Sequence, residues 1–220
     1  MTTAATSFAP IEGFGLELRP WDANLVRQMA AWGERGFPYH AFDMGHLKDP
    51  ARAADALQFA QQEGPHRHYI ACEDGVAVGR VSINLQDTSG FYIWAVHVPP
   101  EHEGRGVCRR MLAALMTALE SHRPYGPDFI LSSNSFAERA HRAYHALGFE
   151  LIETRWHFDK DLAAQLWKVR PADREPIARH IRFNAGRWQV RTFVMKRRRG
   201  HPMELSRGGT APWHDPGRMP

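Results

Sequence analysis

The chain has 220 residues, 43% of them apolar, with 28 basic against 24 acidic side chains and a formal net charge of +4. This suits one globular domain with extensions, and the basic excess is local, centred on Lys196-Arg197-Arg198-Arg199. Only Cys72 and Cys108 are present, too few for a disulfide framework, and the longest nearly apolar helical stretch, Met111 to Leu119, falls far short of the roughly 20 residues that span a membrane. The start, Met1 to Thr6, has neither the charged nor the apolar region of a secretory signal, so a cytoplasmic protein is expected.

In chain order, residues 1–13 read as a flexible N-terminus. Gly15 to Arg19 alternates apolar and polar like a half-buried strand, stopped by Pro20. Asp22 can cap a helix carrying Leu25, Val26, Met29 and Ala30, and a second helix is expected from about Pro50 to Gln62 after a glycine-rich loop. His68 to Cys72, the turn Glu73-Asp74-Gly75 and Val76 to Asn84 form a hairpin pattern, Asp-Gly being a strong short-turn signal. His66 and His68 would share one strand face, but no third or fourth ligand stands at a recognisable spacing, and no metal site is expected.

Phe91 to Val98 is apolar on both faces and reads as a central strand ended by Pro99 and Pro100. Gly104 and Gly106 then open a helix with Val107, Met111, Leu112, Leu115 and Leu119 on one stripe. Phe129 to Leu131 is a further buried strand. Ser135-Phe136-Ala137-Glu138 has capping-box form before a helix that Gly148 would terminate. Phe149 to Phe158 is a strand, residues 159–185 suggest one or two helices, and Trp188 to Val194 is a last strand. Residues 197–220 read as a basic, disordered tail.

Between Val98 and Arg110 a strand feeds a glycine turn and an amphipathic helix. Free backbone N–H groups at a helix start, approached without side chains in the way, make a site for a pyrophosphate. The six residues Glu103-Gly104-Arg105-Gly106-Val107-Cys108 here resemble the Q/R-x-x-G-x-G/A pattern of the GCN5-related N-acetyltransferase (GNAT) superfamily. Glu103 stands where that family usually has Gln or Arg, and Cys108 where it has Gly or Ala. The run Arg142-Ala143-Tyr144-His145-Ala146-Leu147-Gly148-Phe149 is similar to a second landmark of the family, a tyrosine followed by Gly-Phe. Ala137 occupies the position of a common family asparagine, for which Asn134 or Ser135 could substitute.

The resemblance covers residues 14 to 158 in order, with a closing strand at 188 to 194. It implies an α+β fold, a mixed central sheet of about seven strands flanked by helices on both faces, over residues 14–196 with inserts at 33–66 and 159–185. It implies an acetyl-CoA-dependent N-acetyltransferase, with acetyl-CoA as cosubstrate. It also implies coenzyme contacts from Val96, His97, Val98, Glu103, Gly104, Arg105, Gly106, Val107, Cys108, Arg109, Asn134 and Tyr144. An oxyanion donor would be the backbone N–H of Val98 or His97.

Tyr144 would protonate the leaving sulfur, or else pack under Phe149. His97 would act as a base directly or through water, or else be simply hydrogen-bonded; Glu101 and Glu73 are weaker candidates for that base. Arg109 and Arg110, with Arg105, would add charge at the phosphates. Cys108 reads as a packed thiol rather than an acyl-carrying nucleophile.

The expected acceptor is a small-molecule primary amine, with a protein N-terminus or lysine as the alternative, and the two inserts would build its site. A noncatalytic acyl-CoA-sensing or nucleic-acid-associated module is the more distant alternative. Four tail charges without interleaved aromatics are a poor nucleic-acid footprint, and neither membrane nor nucleic acid is an expected partner. A homodimer is compatible with the sequence.

Overall fold

A computed structural model describes residues 10–40, 43–203 and 205. Nine strands make one mixed sheet: β1 (Ile11–Gly13), β2 (Leu16–Pro20), β3 (His66–Glu73), β4 (Val76–Asn84), β5 (Phe91–His97), β6 (Phe129–Asn134), β7 (Glu150–His157), β8 (Ile181–Asn184) and β9 (Arg187–Arg197). The spatial order is β1-β2-β3-β4-β5-β6-β9-β7, with β8 also on β9. Among the described residues five α-helices accompany them: α1 (Ala23–Ala30), α2 (Pro50–Gln61), α3 (Val107–His122), α4 (Glu138–Ala146) and α5 (Lys160–Leu166).

Two apolar layers sandwich the sheet. On one face the α3 stripe, with Met111, Leu112 and Leu115 fully buried, packs on β2 to β6 together with Tyr144 and Leu147 of the α4 region. On the other, Leu25, Val26 and Met29 of α1 and Leu47 cover Ile70, Cys72 and Ala77. Asp22 caps α1 by accepting from the Leu25 N–H at 2.8 Å, as its position before the apolar run suggests.

Four expectations need correction. Residues 11–13, read as part of a flexible N-terminus, pair with β2 as β1. Residues 181–184, read as helix, form β8. These two short hairpin partners raise the strand count from about seven to nine. Ser135 does not cap α4, whose first turn starts from Ala137 without a side-chain cap; its Oγ instead meets His180 Nδ1 at 2.8 Å. Arg197, assigned to the tail, ends β9 and is buried. The rest of that tail, residue 204 and residues 206–220, lies outside the described residues.

The sheet opens where β5 and β6 meet. They pair in parallel only from Phe91–Phe129 to Ile93–Leu131, after which β6 continues on β9 alone. Against β4, Arg80 faces His97 while Ser82 faces Trp94, so β5 carries one extra residue there. Ala95 takes up that residue with φ 51°. Such a bulge bends the strand and re-aims its side chains. Gly79 permits the close approach, since a Cβ there would lie 3.0 Å from the His97 carbonyl oxygen.

Candidate active site

A cleft of about 1630 Å3 occupies the gap between β5 and β6. Its entrance is built by the glycine turn: after β5 a short 3-10 turn at Pro100–His102 leads to Gly104 and Gly106, both at positive φ (74° and 75°). Gly106 precedes α3 without any side-chain cap, so the first N–H groups of the helix remain for a ligand. One wall is β5 from Tyr92 to Val98 with the first turn of α3; the other is Ser132, Ser133 and Asn134 of β6 with α4.

Of the twelve coenzyme residues expected from sequence, eleven line this cleft: Val96, His97, Val98, Glu103, Gly104, Gly106, Val107, Cys108, Arg109, Asn134 and Tyr144. Arg105 does not. Its guanidinium is drawn to Glu73 (2.5 Å) and His102 Nδ1 (3.0 Å), and Arg110 pairs with the same carboxylate at 2.9 Å. Among these three arginines only Arg109 reaches the cleft. Glu73 is thereby committed to two arginines, and Glu101 accepts from the Gly33 N–H at 3.2 Å; neither lines the cleft as a base would.

Glu103 sits between two guanidinium groups, Arg35 and Arg139, each at 2.6 Å. Arg35 also donates to the Val98 carbonyl, which ties the segment after α1 to the end of β5. The carboxylate is therefore neutralised, and the trio carries net positive charge toward the entrance. Glu103→Gln should leave acetyl-CoA affinity unchanged or up to about threefold tighter by calorimetry. A tenfold loss would show that fixing Arg35 and Arg139 outweighs the charge removed.

His97 is 4% exposed, and its ring lies 5.4 Å from that of Trp32. Burial, then Arg80 and Arg35, push its pKa down to about 3, so the imidazole is neutral at physiological pH but a feeble base. His68 is likewise lowered to about 4, mainly by burial. Both groups have a folded pKa below the ordinary 6.5, so the unfolded chain takes up protons first as pH falls. Stability should be lost from about pH 6.5 downward, with a slope approaching roughly 3 kcal/mol per pH unit for the pair, before most carboxylates titrate. Urea midpoints measured between pH 7 and 4.5 check this, and a flat profile above pH 5 would contradict it.

Burial lifts the Cys108 thiol to about 12, which keeps it protonated and a poor nucleophile. Tyr144 is 5% exposed, edge-on to Phe149 at 6.1 Å, and burial raises its hydroxyl above the ordinary phenol value, so it holds its proton throughout the neutral range. The cleft is also lined by Thr192 and His157, which sequence reasoning missed, and by Tyr39 of the 33–66 insert, an aromatic that could line the acceptor site. Thr192 Oγ1 is 2.7 Å from His157 Nδ1 and 3.5 Å from Asn134 Oδ1, and Tyr39 donates to the Phe136 carbonyl at 3.2 Å. The only sequence signal of Thr192 and His157 was polar character on a strand; partners 35 and 58 residues away give no local pattern.

Residues 28–149 match the acetyltransferase (GNAT) family. The chain belongs to that family. It is a GNAT enzyme that uses acetyl-CoA, and the glycine turn, the opened β5–β6 junction and Tyr144 occupy one cleft of its fold. Among solved structures, a ribosomal L7/L12 alpha-N-protein acetyltransferase in complex with coenzyme A is 14% identical with a TM-score of 0.55, covering 90% of this chain and 100% of its own. The Escherichia coli ribosomal-protein-S18-alanine N-acetyltransferase is 12% identical with a TM-score of 0.53, covering 86% and 97%. A spermidine N-acetyltransferase chimera that includes the Vibrio cholerae enzyme is 14% identical with a TM-score of 0.51, covering 84% and 96%. At such identities the likeness is one of fold. No curated protein matches the sequence. Among the described residues no helix is long and apolar enough to cross a membrane, and no group of three metal-ligating side chains occurs.

Proposed function

We propose that this GNAT enzyme acetylates a small-molecule primary amine by direct attack on the thioester, without an acyl-enzyme. The observation that carries this is the shared cleft: helix-start N–H groups at Gly106 for the pyrophosphate lie at one end, and Tyr144 on the wall facing β5. The thioester would run along β5 on the side where β6 no longer pairs beyond Ile93, so that a main-chain N–H near His97 and Val98 facing that side can donate to the oxyanion; one such donor is worth about 3 kcal/mol. As the tetrahedral intermediate collapses, the carbon–sulfur bond breaks and the thiolate takes the Tyr144 proton. Cys108, protonated beneath the turn, takes no part.

The acceptor must lose a proton, because an alkylammonium with a pKa near 10 has no lone pair to attack with. His97 is poorly suited to take that proton, being buried and weakly basic, so the acceptor would release it to solvent and enter as the neutral amine. A small acceptor is favoured over a protein chain by Tyr39: its bond to the Phe136 carbonyl bridges the insert to the opposite wall, which narrows the acceptor end.

Acetyl-CoA titration by calorimetry together with thiol release over a panel of small primary amines and peptide N-termini tests the reading. Saturable binding with turnover of a small amine is expected. Turnover of peptides alone would transfer the acceptor to protein N-termini, and no saturable acetyl-CoA binding would sink the mechanism.

A further inference from the structure

On the α1–α2 side of the sheet lies a second cavity of about 130 Å3. Its floor is His68 of β3, Arg80 and Ser82 of β4 and Trp94 of β5; Trp21, Phe59 and Met44 enclose it. Val81 and Ile83 of β4 belong to the core on the α3 side, so strand alternation turns Arg80 and Ser82 to this face.

The polar inventory of this cavity is one-sided. Arg80 Nε is buried without a hydrogen-bond acceptor, and so are the indole nitrogens of Trp21 and Trp94. No carboxylate among the described residues pairs with Arg80. Burial alone acts on its guanidinium, lowering it to about 10, which still leaves it cationic at neutral pH. His68 Nδ1 meets Ser82 Oγ at 2.8 Å, so these two satisfy each other. A buried cation ordinarily has a counter-charge, and donors that lack acceptors are a cost unless something accepts from them. The aromatic walls exclude water from around a small anion, and a guanidinium with indole N–H groups matches the two oxygens of a carboxylate.

We infer that this cavity binds a small carboxylate, held by Arg80 with the indole N–H groups of Trp21 and Trp94. Trp94 lines both this cavity and the acetyl-CoA cleft, so the two adjoin at β5. The carboxylate is either a free anion or an acidic group on the amine acceptor. The second case rests on the acetyl-transfer reading above; the first does not.

Titrating the intact protein with acetate or formate at constant ionic strength, followed by tryptophan fluorescence and by thermal midpoint, tests the site directly. The wild-type protein should show a saturable response, about tenfold weaker in Arg80→Met and severalfold weaker in Trp21→Phe, which keeps an aromatic wall if the first variant folds poorly. No saturable wild-type response, or an equal response in both variants, would overturn the assignment whatever the enzyme's activity. Paired amines differing by one carboxylate then separate the sources. A rise in KM for the acidic amine alone in Arg80→Met, with kcat retained, assigns the carboxylate to the acceptor. Unchanged KM for both amines with lost acetate binding assigns it to a free anion.

Discussion

Tyr144→Phe should lower kcat by roughly 100-fold or more while the Kd for acetyl-CoA moves less than about twofold. The substitution removes one hydroxyl and keeps the ring, so the edge contact with Phe149 survives and the helix that carries it is not disturbed. What is lost is the proton that burial keeps on the phenol across the neutral range. Because the proposed mechanism needs that proton only as the thiolate departs, the loss belongs to kcat rather than to coenzyme binding. Single-turnover measurements separate it from product release. Turnover equal to that of the unmodified enzyme would remove Tyr144 from the acid role and leave it as packing.

The second large effect is on stability. Arg197, 1% exposed, donates through Nε to the Leu147 carbonyl at 2.8 Å and through Nη1 to Glu120 at 2.7 Å, and its guanidinium lies 5.7 Å from the Phe129 ring centroid. It thus joins the end of β9 to α3 and to the turn that closes α4. Arg197→Ala would leave Glu120 with the Gly200 N–H but no counter-charge and the Leu147 carbonyl without this donor, a loss of about 3–5 kcal/mol, or roughly 10 °C in Tm. Urea denaturation of the variant checks this; a shift under 1 kcal/mol would mean that the buried charge costs nearly as much as its bonds return.

Where local chemistry decided the structure, the sequence was readable. Asp74-Gly75 gave a two-residue turn with φ 51° and 79°, and the α3 stripe and glycine turn came out where the pattern put them. Two more hairpins use the same backbone, at Phe14-Gly15 and Ala185-Gly186, but Phe and Ala before glycine carry no turn signal, and β1 and β8 were missed. Ser135 had the right spacing for a cap and was taken instead by His180, 45 residues on. The same limit governed the site. Main-chain positions such as Gly104 and Val98 were legible, whereas the directions of Arg105, Arg110 and Glu103 depended on Glu73, Arg35 and Arg139, which lie far away in sequence.

β9 is the last strand among the described residues yet lies inside the sheet, with β7 on one side and β6, followed by β8, on the other. While a ribosome is still making the protein, the sheet can form as far as β6, but β6 keeps an open edge and β7 and β8 have no strand to pair with until residues 187–197 emerge. The cleft wall at Ser132 to Asn134 is completed only then, so a growing chain acquires its catalytic shape no earlier than β9, and a truncation before β9 leaves β6 with an open edge, and β7 and β8 without partners, exposed to aggregation.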